Sequence, residues 1–280
     1  MKKIILMSLV AMLTMTMTSC MGGGGLGRVL EEILRNEEGA IADTTATQVT
    51  EINQVTTMQP FHEVKITGDF RVIYEQGTEY SVRVEATEQA INEMTVYVQD
   101  SMLVICKSVD IPVTEFGDVK IHVSTPDIRK IDLNGSGLFV AENAINVDSI
   151  LIVFVDGQGK VLLTDLNCKE TAIFSVMNRG NIGVTNLKAD WVVADIVGDY
   201  GVSINVGSIN MVTLECNKLS ASISDYGDIN CDDINAVDAN VDISRGGNVN
   251  LRGTVKNVTK KITGKGNLNI TEATPADETK

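Results

Sequence analysis

Three stretches, LNGSGLFVA at 133–141, VDGQGKVLL at 155–163 and VMNRGNIGV at 176–184, carry one pattern of residues. Each has an aliphatic anchor, two or three turn-forming residues, a glycine four places after the anchor, and apolar side chains two and four places after the glycine. The glycine recurs at Gly137, Gly159, Gly180, Gly201, Gly227, Gly247 and Gly266, in steps of 22, 21, 21, 26, 20 and 19 residues. The anchors are Leu133, Val155, Val176, Val197, Ile223, Ile243 and Ile262. A recurrent glycine is expected where the chain turns with positive φ, at a position where a Cβ would clash. Each unit therefore reads as strand, tight turn, strand and return, too small to bury its own apolar side. Parallel stacking of such units about 4.8 Å apart would bury a continuous aliphatic column. The expected fold is all-β: a single-chain parallel β-helix, or β-solenoid, of about seven coils of roughly 21 residues, preceded by a β-rich region.

The unit around Gly201 breaks the pattern. Its apolar residues, Val202, Ile204 and Val206, stand one place out of register, and 26 residues separate Gly201 from Gly227. Since a one-residue slip exchanges the two faces of a strand, a bulge is expected here.

Working outward, residues 59–126 form the β-rich opening and 127–272 the repeats. Alternation at Val64 and Ile66, at Phe70, Val72 and Tyr74, and at Tyr80, Val82 and Val84 predicts strands broken by turn residues. Met94 to Val98 and Met102 to Cys106 flank Gln99-Asp-Ser101 as a hairpin. Residues 20–58 read as an acylated cysteine, a tether from Gly22 to Gly25, a short apolar stripe (Leu26, Val29, Leu30, Ile33 and Leu34) and a linker. Residues 273–280 read as a disordered tail.

Residues 1–19 have the layout of a signal peptide: Lys2 and Lys3, an uncharged run from Ile4 to Thr18, and Ser19 before a cysteine. The run is 15 residues long, short of the ~20 that a spanning helix needs. Met17-Thr-Ser-Cys20 resembles a loose bacterial lipobox, so Cys20 is the expected lipidation site and the membrane is reached through acyl chains. The expected location is the outer membrane, on a face the sequence leaves open. The residues after Cys20 lack the acidic cluster associated with surface export of lipoproteins, a mild lean toward the periplasmic side.

Loss of Lys2 and Lys3 with the signal takes the net charge from −14 to −16. That excess disfavours nucleic acid and other polyanions as partners. Of the remaining cysteines, Cys106, Cys168, Cys216 and Cys231 show no paired spacing and read as buried free thiols.

The succession of a β-rich opening, the run Val119 to Gly137 ending in Asn134-Gly-Ser-Gly137, and then coils each turning on glycine resembles the putative auto-transporter adhesin, head GIN domain family. The likeness runs from about Phe61 to Ile270, with Phe70-Arg-Val72 similar to that family's first strand. Later turns, such as Asp156-Gly-Gln-Gly159 and Thr263-Gly-Lys-Gly266, depart from its Gly-Ser-Gly. The resemblance implies a β-helical envelope protein of Bacteroidetes type. It supplies no catalytic residue.

No catalytic residue and no cofactor are expected from the residues themselves either. Only His62 and His122 are present, each reading as a strand histidine. Ser136 lacks the strand-to-helix elbow, and Gly264-Lys-Gly266 lacks the P-loop spacing. Asp165, Asp190 and Asp195 fall at scattered places in the repeat, which argues against a polysaccharide hydrolase. Asn134, Asp156, Asn178, Asp199 and Asp225 stand at turns without a calcium-roll motif and read as turn formers, so no metal is expected.

The remaining local feature is the duplication Asp199-Tyr-Gly201 and Asp225-Tyr-Gly227. In register, Tyr200 and Tyr226 would stack one coil apart beside Asp199 and Asp225, either covering the edge of the fold or holding a sugar ring with the carboxylates accepting its hydroxyl hydrogens. The functional expectation is a non-enzymatic envelope adhesin presenting its surface to a glycan or a protein. The alternative is a structural or assembly lipoprotein on the periplasmic face of the outer membrane.

Overall fold

The computed structural model describes residues 56–107, 119–198 and 206–272. The signal segment, Cys20, the tether, the tail and Asp199, Tyr200 and Gly201 lie outside the described residues.

The described chain is all-β apart from one short helix. Its strands are β1 (Thr56–Thr57), β2 (Glu63–Thr67), β3 (Arg71–Gln76), β4 (Ser81–Glu85), β5 (Met94–Gln99), β6 (Met102–Lys107), β7 (Lys120–Thr125), β8 (Lys130–Gly135), β9 (Leu138–Ala141), β10 (Ile145–Val147) and β11 (Ile150–Gly157). Long strands follow: β12 (Lys160–Asn178), β13 (Asn181–Val197), β14 (Val206–Ile223), β15 (Tyr226–Ile243), β16 (Asn248–Ile262) and the short β17 (Asn267–Thr271). The helix α1 (Glu88–Glu93) is capped by Thr87, whose hydroxyl accepts from the Ala90 amide.

Pairing is parallel from β8 onward and resolves into three ladders. The first runs β5, β6, β2, β8, β11, then residues 171–178, 191–197, 218–223, 238–243 and 257–262. The second runs β1, β4, β7, β3, β9, then 160–163, 181–184, 208–211, 228–231, 248–251 and β17. The third holds β10, then 166–168, 187–189, 214–216, 234–236 and 253–255.

Like residues stack on like. The column Phe139, Val161, Ile182, Ile209, Ile229 and Val249 is fully buried. So is Leu133, Val155, Val176, Ile196, Ile223 and Ile243, within 1% exposure. At about 25 cal/mol per Å2 of apolar surface, these columns are the main source of cohesion.

The turns correct the sequence reading of the glycines. Positive φ belongs two places earlier, at Gly68 (φ 131°), Gly135 (117°), Gly157 (116°) and Asn178 (66°). Gly137, Gly159, Gly180 and Gly266 are needed for space instead. A Cβ would stand 2.8 Å from the Phe70 carbonyl oxygen at Gly137, and 2.7 Å from Leu133 Cδ2 at Gly159. At Gly180 and Gly266 it would stand 2.4 Å from Val155 and Ile243 side-chain carbons. Gly227 and Gly247 combine both demands, with φ of 147° and 84°.

The irregular unit is also re-registered. Gly207, not Gly201, pairs with Gly227, and the amide of the following residue, Ser208, donates to the Gly180 carbonyl. The anchor is buried Ile196, not half-buried Val197. Anchor and glycine are 11 residues apart here, against 4 between Ile223 and Gly227. The bulge expected around Gly201 falls at residues 199–205, outside the described residues. Ile209 and Met211 take the buried places, while Val206 is 60% exposed.

A layer hidden in the sequence precedes the first recurrent glycine. Ile66 pairs with Leu133, Val72 with Phe139 and Tyr74 with Ala141. Residues 63–76 thus repeat the unit, with Phe70 where later layers have glycine. The hairpin β5–β6 is as expected, and Asp100 and Ser101 turn it with φ of 51° and 61°.

Candidate functional site

Of the four residues singled out at the duplicated Asp-Tyr-Gly, the structure describes Asp225 and Tyr226. Tyr226 pairs in register with Val206, so the duplicated Asp-Tyr-Gly motifs are not equivalent positions. Asp225 is fully buried, with Oδ1 accepting from Arg245 at 3.2 Å and its side chain packed against Gly198. A carboxylate in that place is unavailable to a sugar hydroxyl. The Tyr226 ring lies over Gly246, where a Cβ would meet two ring carbons at 2.5 Å, and remains 43% exposed. It covers the edge of the next layer's turn.

A surface with depth lies on the third ladder. Two adjoining hollows, of about 520 and 510 Å3, lie along it and share Asn167, Lys188, Glu215 and Asn235. Those four side chains come from successive strands, one above another, because each occupies the outward position between two inward apolar residues. On the inward side of the same segments, Cys168, Ala189, Cys216 and Ala236 form a column of small residues.

The rims are tied from strand to strand. Asn186 donates to Asp165 Oδ1 at 2.5 Å, and Thr213 Oγ1 donates to Asn186 Oδ1 at 2.7 Å. Asn217 donates to Asp190 Oδ1 at 2.5 Å. Lys188 Nζ lies 2.9 Å from Glu215 Oε1, an exposed pair whose contribution to stability is small. Carboxylates, amides and ammonium groups thus alternate along the axis, offering both donors and acceptors. Asp165 and Asp190 both stand on this groove, each held by an asparagine amide, whereas Asp195 is on the first ladder with its carboxyl pushed up by burial.

Beside the groove, Trp191 is 39% exposed, but Lys218 Nζ sits 4.4 Å from the ring centroid and the indole N–H donates to Ser220 Oγ at 3.1 Å. Its exposed face is already occupied by the cation. The groove and Trp191 carry no motif, and the only sequence signal for the groove is a recurring polar residue between two apolar ones.

Among the described residues no group of three or more His, Cys, Asp or Glu is placed to hold a metal ion. His122 Nε2 lies 3.1 Å from Glu85 Oε1, with burial and then Arg83 holding its pKa below the ordinary value. His62 Nδ1 lies 3.7 Å from Asp127 Oδ2, in the segment between β7 and β8. Of the turn residues, Asn178 donates to Asp156 Oδ1 at 2.5 Å and Asn134 donates to Asp132 Oδ1 at 2.7 Å. Cys106, Cys168, Cys216 and Cys231 are free thiols.

Long parallel strands stacked in register over three ladders define an all-β class of protein. This chain belongs to the putative auto-transporter adhesin, head GIN domain family, whose model matches residues 60–186 and 196–280. Its fold is shared with a putative adhesin from Bacteroides fragilis, 21% identical with a TM-score of 0.69, the match covering 78% of this chain and 96% of that one. A putative adhesin from Parabacteroides distasonis matches at 19% identity and TM-score 0.62 over 79% of this chain and 98% of that one. One from Parabacteroides merdae matches at 16% identity and TM-score 0.62, over 79% and 95%. No curated protein is similar in sequence.

Proposed function

We propose that this protein is a non-enzymatic, lipid-anchored adhesin of the cell envelope, wound as a β-solenoid of about seven coils, that binds an extended glycan along the groove of its third ladder. The observation carrying this reading is the continuity of the groove across strands: side chains at Asn167, Lys188, Glu215 and Asn235 repeat at the strand spacing, as an extended polymer with repeating hydroxyls requires. Mixed charge in the groove suits a neutral or zwitterionic polyhydroxyl chain better than a polyanion. Family membership and the adhesin names of the similar structures support the envelope role. Attachment would be through acylated Cys20.

The competing reading is a structural or assembly lipoprotein on the periplasmic face of the outer membrane, favoured by the absence of an acidic cluster after Cys20. Asn217→Cys, on the exposed groove rim, separates the two. A membrane-impermeant maleimide should label this variant on intact cells. Labelling only after permeabilisation would replace the adhesin reading with the periplasmic one.

A further inference from the structure

Because the layers are in register, the same outward positions of the first ladder can be compared from layer to layer. In β8 they hold Lys130 and Asp132, in 218–223 Lys218, Ser220 and Ser222, and in 238–243 Asp238, Asn240 and Asp242. The three layers between β8 and 218–223 instead place Ile150, Ile152, Phe154, Ile173, Trp191 and Val193 there. Ile150 is 40% exposed, Ile152 36% and Trp191 39%, and the other three are half-buried. The inward residues of the same strands already fill the core. An apolar patch rimmed by polar residues, on a face that is polar in the layers to either side, marks a contact surface.

We infer that two copies of this chain associate face to face through this patch, their strand stacks running in opposite directions. The patch is centred on residues 171–178. Three layers lie on one side, β11, β8 and β2, and three on the other, 191–197, 218–223 and 238–243. Face-to-face contact between identical sheets requires a two-fold axis lying in the interface, either along the stack or along the strands.

An axis along the stack sets each layer against itself. Asp238 then meets Asp242 and Lys130 meets its own counterpart, like charge on like. An axis along the strands at 171–178 sets Ile173 over its own counterpart, Ile152 over Val193 and Ile150 over Trp191. Lys65, which stands in one column with Asp132 and Phe154, comes over Asp242 of the other copy. Lys130 and Asp132 come over Ser220 and Ser222. Phe154 comes over Asp195, whose carboxyl is already pushed up by burial. Packed sheets lie about 10 Å apart and cross at about 30°, so these residues are neighbours across the interface rather than strict pairs. Because the contact is isologous it closes at two copies.

A bilayer would accept Trp191 and the isoleucines, but the same face would carry Asp132 and Asp195 into the headgroups. For a sugar, the Trp191 ring is already covered by Lys218 at 4.4 Å from its centroid. A second copy matches both the apolar centre and the flanking charges.

The test uses the full chain with Cys20→Ser and Cys106→Ser, in which the remaining thiols are buried. It should sediment as a dimer at micromolar concentration. Ile152→Glu, with unchanged circular dichroism, should weaken the dimer by about tenfold or more. Lys65→Glu should weaken it less, and adding Asp242→Lys to that variant should restore it. Thr171→Cys alone should be joined to its own counterpart by a short bismaleimide, whereas an axis along the stack would join Thr171→Cys only to Ser175→Cys. A monomeric parent, an unchanged dimer in Ile152→Glu, or cross-linking only in the mixture of Thr171→Cys and Ser175→Cys would overturn the inference. So would a monomer that binds vesicles of neutral phospholipid and loses that binding in Ile152→Glu.

Discussion

Gly180 is needed because the next layer's backbone passes against Val155, whose Cγ1 would stand 2.4 Å from an added Cβ. Gly180→Ala should therefore cost about 1–3 kcal/mol, the usual range for overpacking, read as a lowered urea midpoint. The buried thiols make a second residue-scale prediction. Burial pushes Cys216 and Cys231 up from 9.0 to about 12. Both should resist thiol reagents at neutral pH in the native protein and react once it is unfolded. The unfolded chain loses these protons at lower pH than the folded one, so stability is fully present below pH 9 and falls as pH rises toward 12. At this scale the sequence identified the right glycines except Gly201 and the Cβ clash that requires them, but expected a positive φ that only Gly227 and Gly247 among them show. The crowding layer, some 20 residues away, is invisible in a local turn motif, whereas positive φ is the familiar cause.

Between elements, identical positions meet because the strands are parallel and in register, and this is why the repeat was legible at all. Polar side chains obey the same rule: Asn230 donates to Asn210 at 2.8 Å, Asn250 to Asn230 at 2.7 Å, and Asn269 to Asn250 at 2.7 Å. Asn230→Ala would leave an acceptor and a donor without partners in the middle of that run. A loss of about 1–3 kcal/mol is expected, measurable by thermal unfolding, with a much smaller loss for Asn269→Ala at the end. What stayed hidden at this scale has specific causes. The sequence between Ile196 and Gly207 contains a second Asp-Tyr-Gly, which draws the reading to Gly201, whereas Gly207 pairs with Gly227. The layer at residues 63–76 has Phe70 in the glycine's place, although Ile66, Gly68, Val72 and Tyr74 keep the spacing.

At the scale of the whole molecule, a net charge of −14 conceals its arrangement. Six aspartates and no basic residue lie between Asp225 and Asp242, immediately before the six basic residues from Arg245 to Lys265. Overall charge therefore says little about what either end or the groove will bind. The groove itself was not legible, because it arises from ordinary polar residues brought one above another by the bend of successive strands. Tyr226 and Asp225 were more conspicuous in the sequence, yet one covers a turn and the other is buried. Retention of glycans on an array by the parent chain, by Lys188→Ala/Glu215→Ala and by Tyr226→Ala compares the two sites directly. The groove reading predicts retention by the parent and by Tyr226→Ala, and its loss in the Lys188/Glu215 pair; loss in Tyr226→Ala alone, or no retention by the parent, would contradict it.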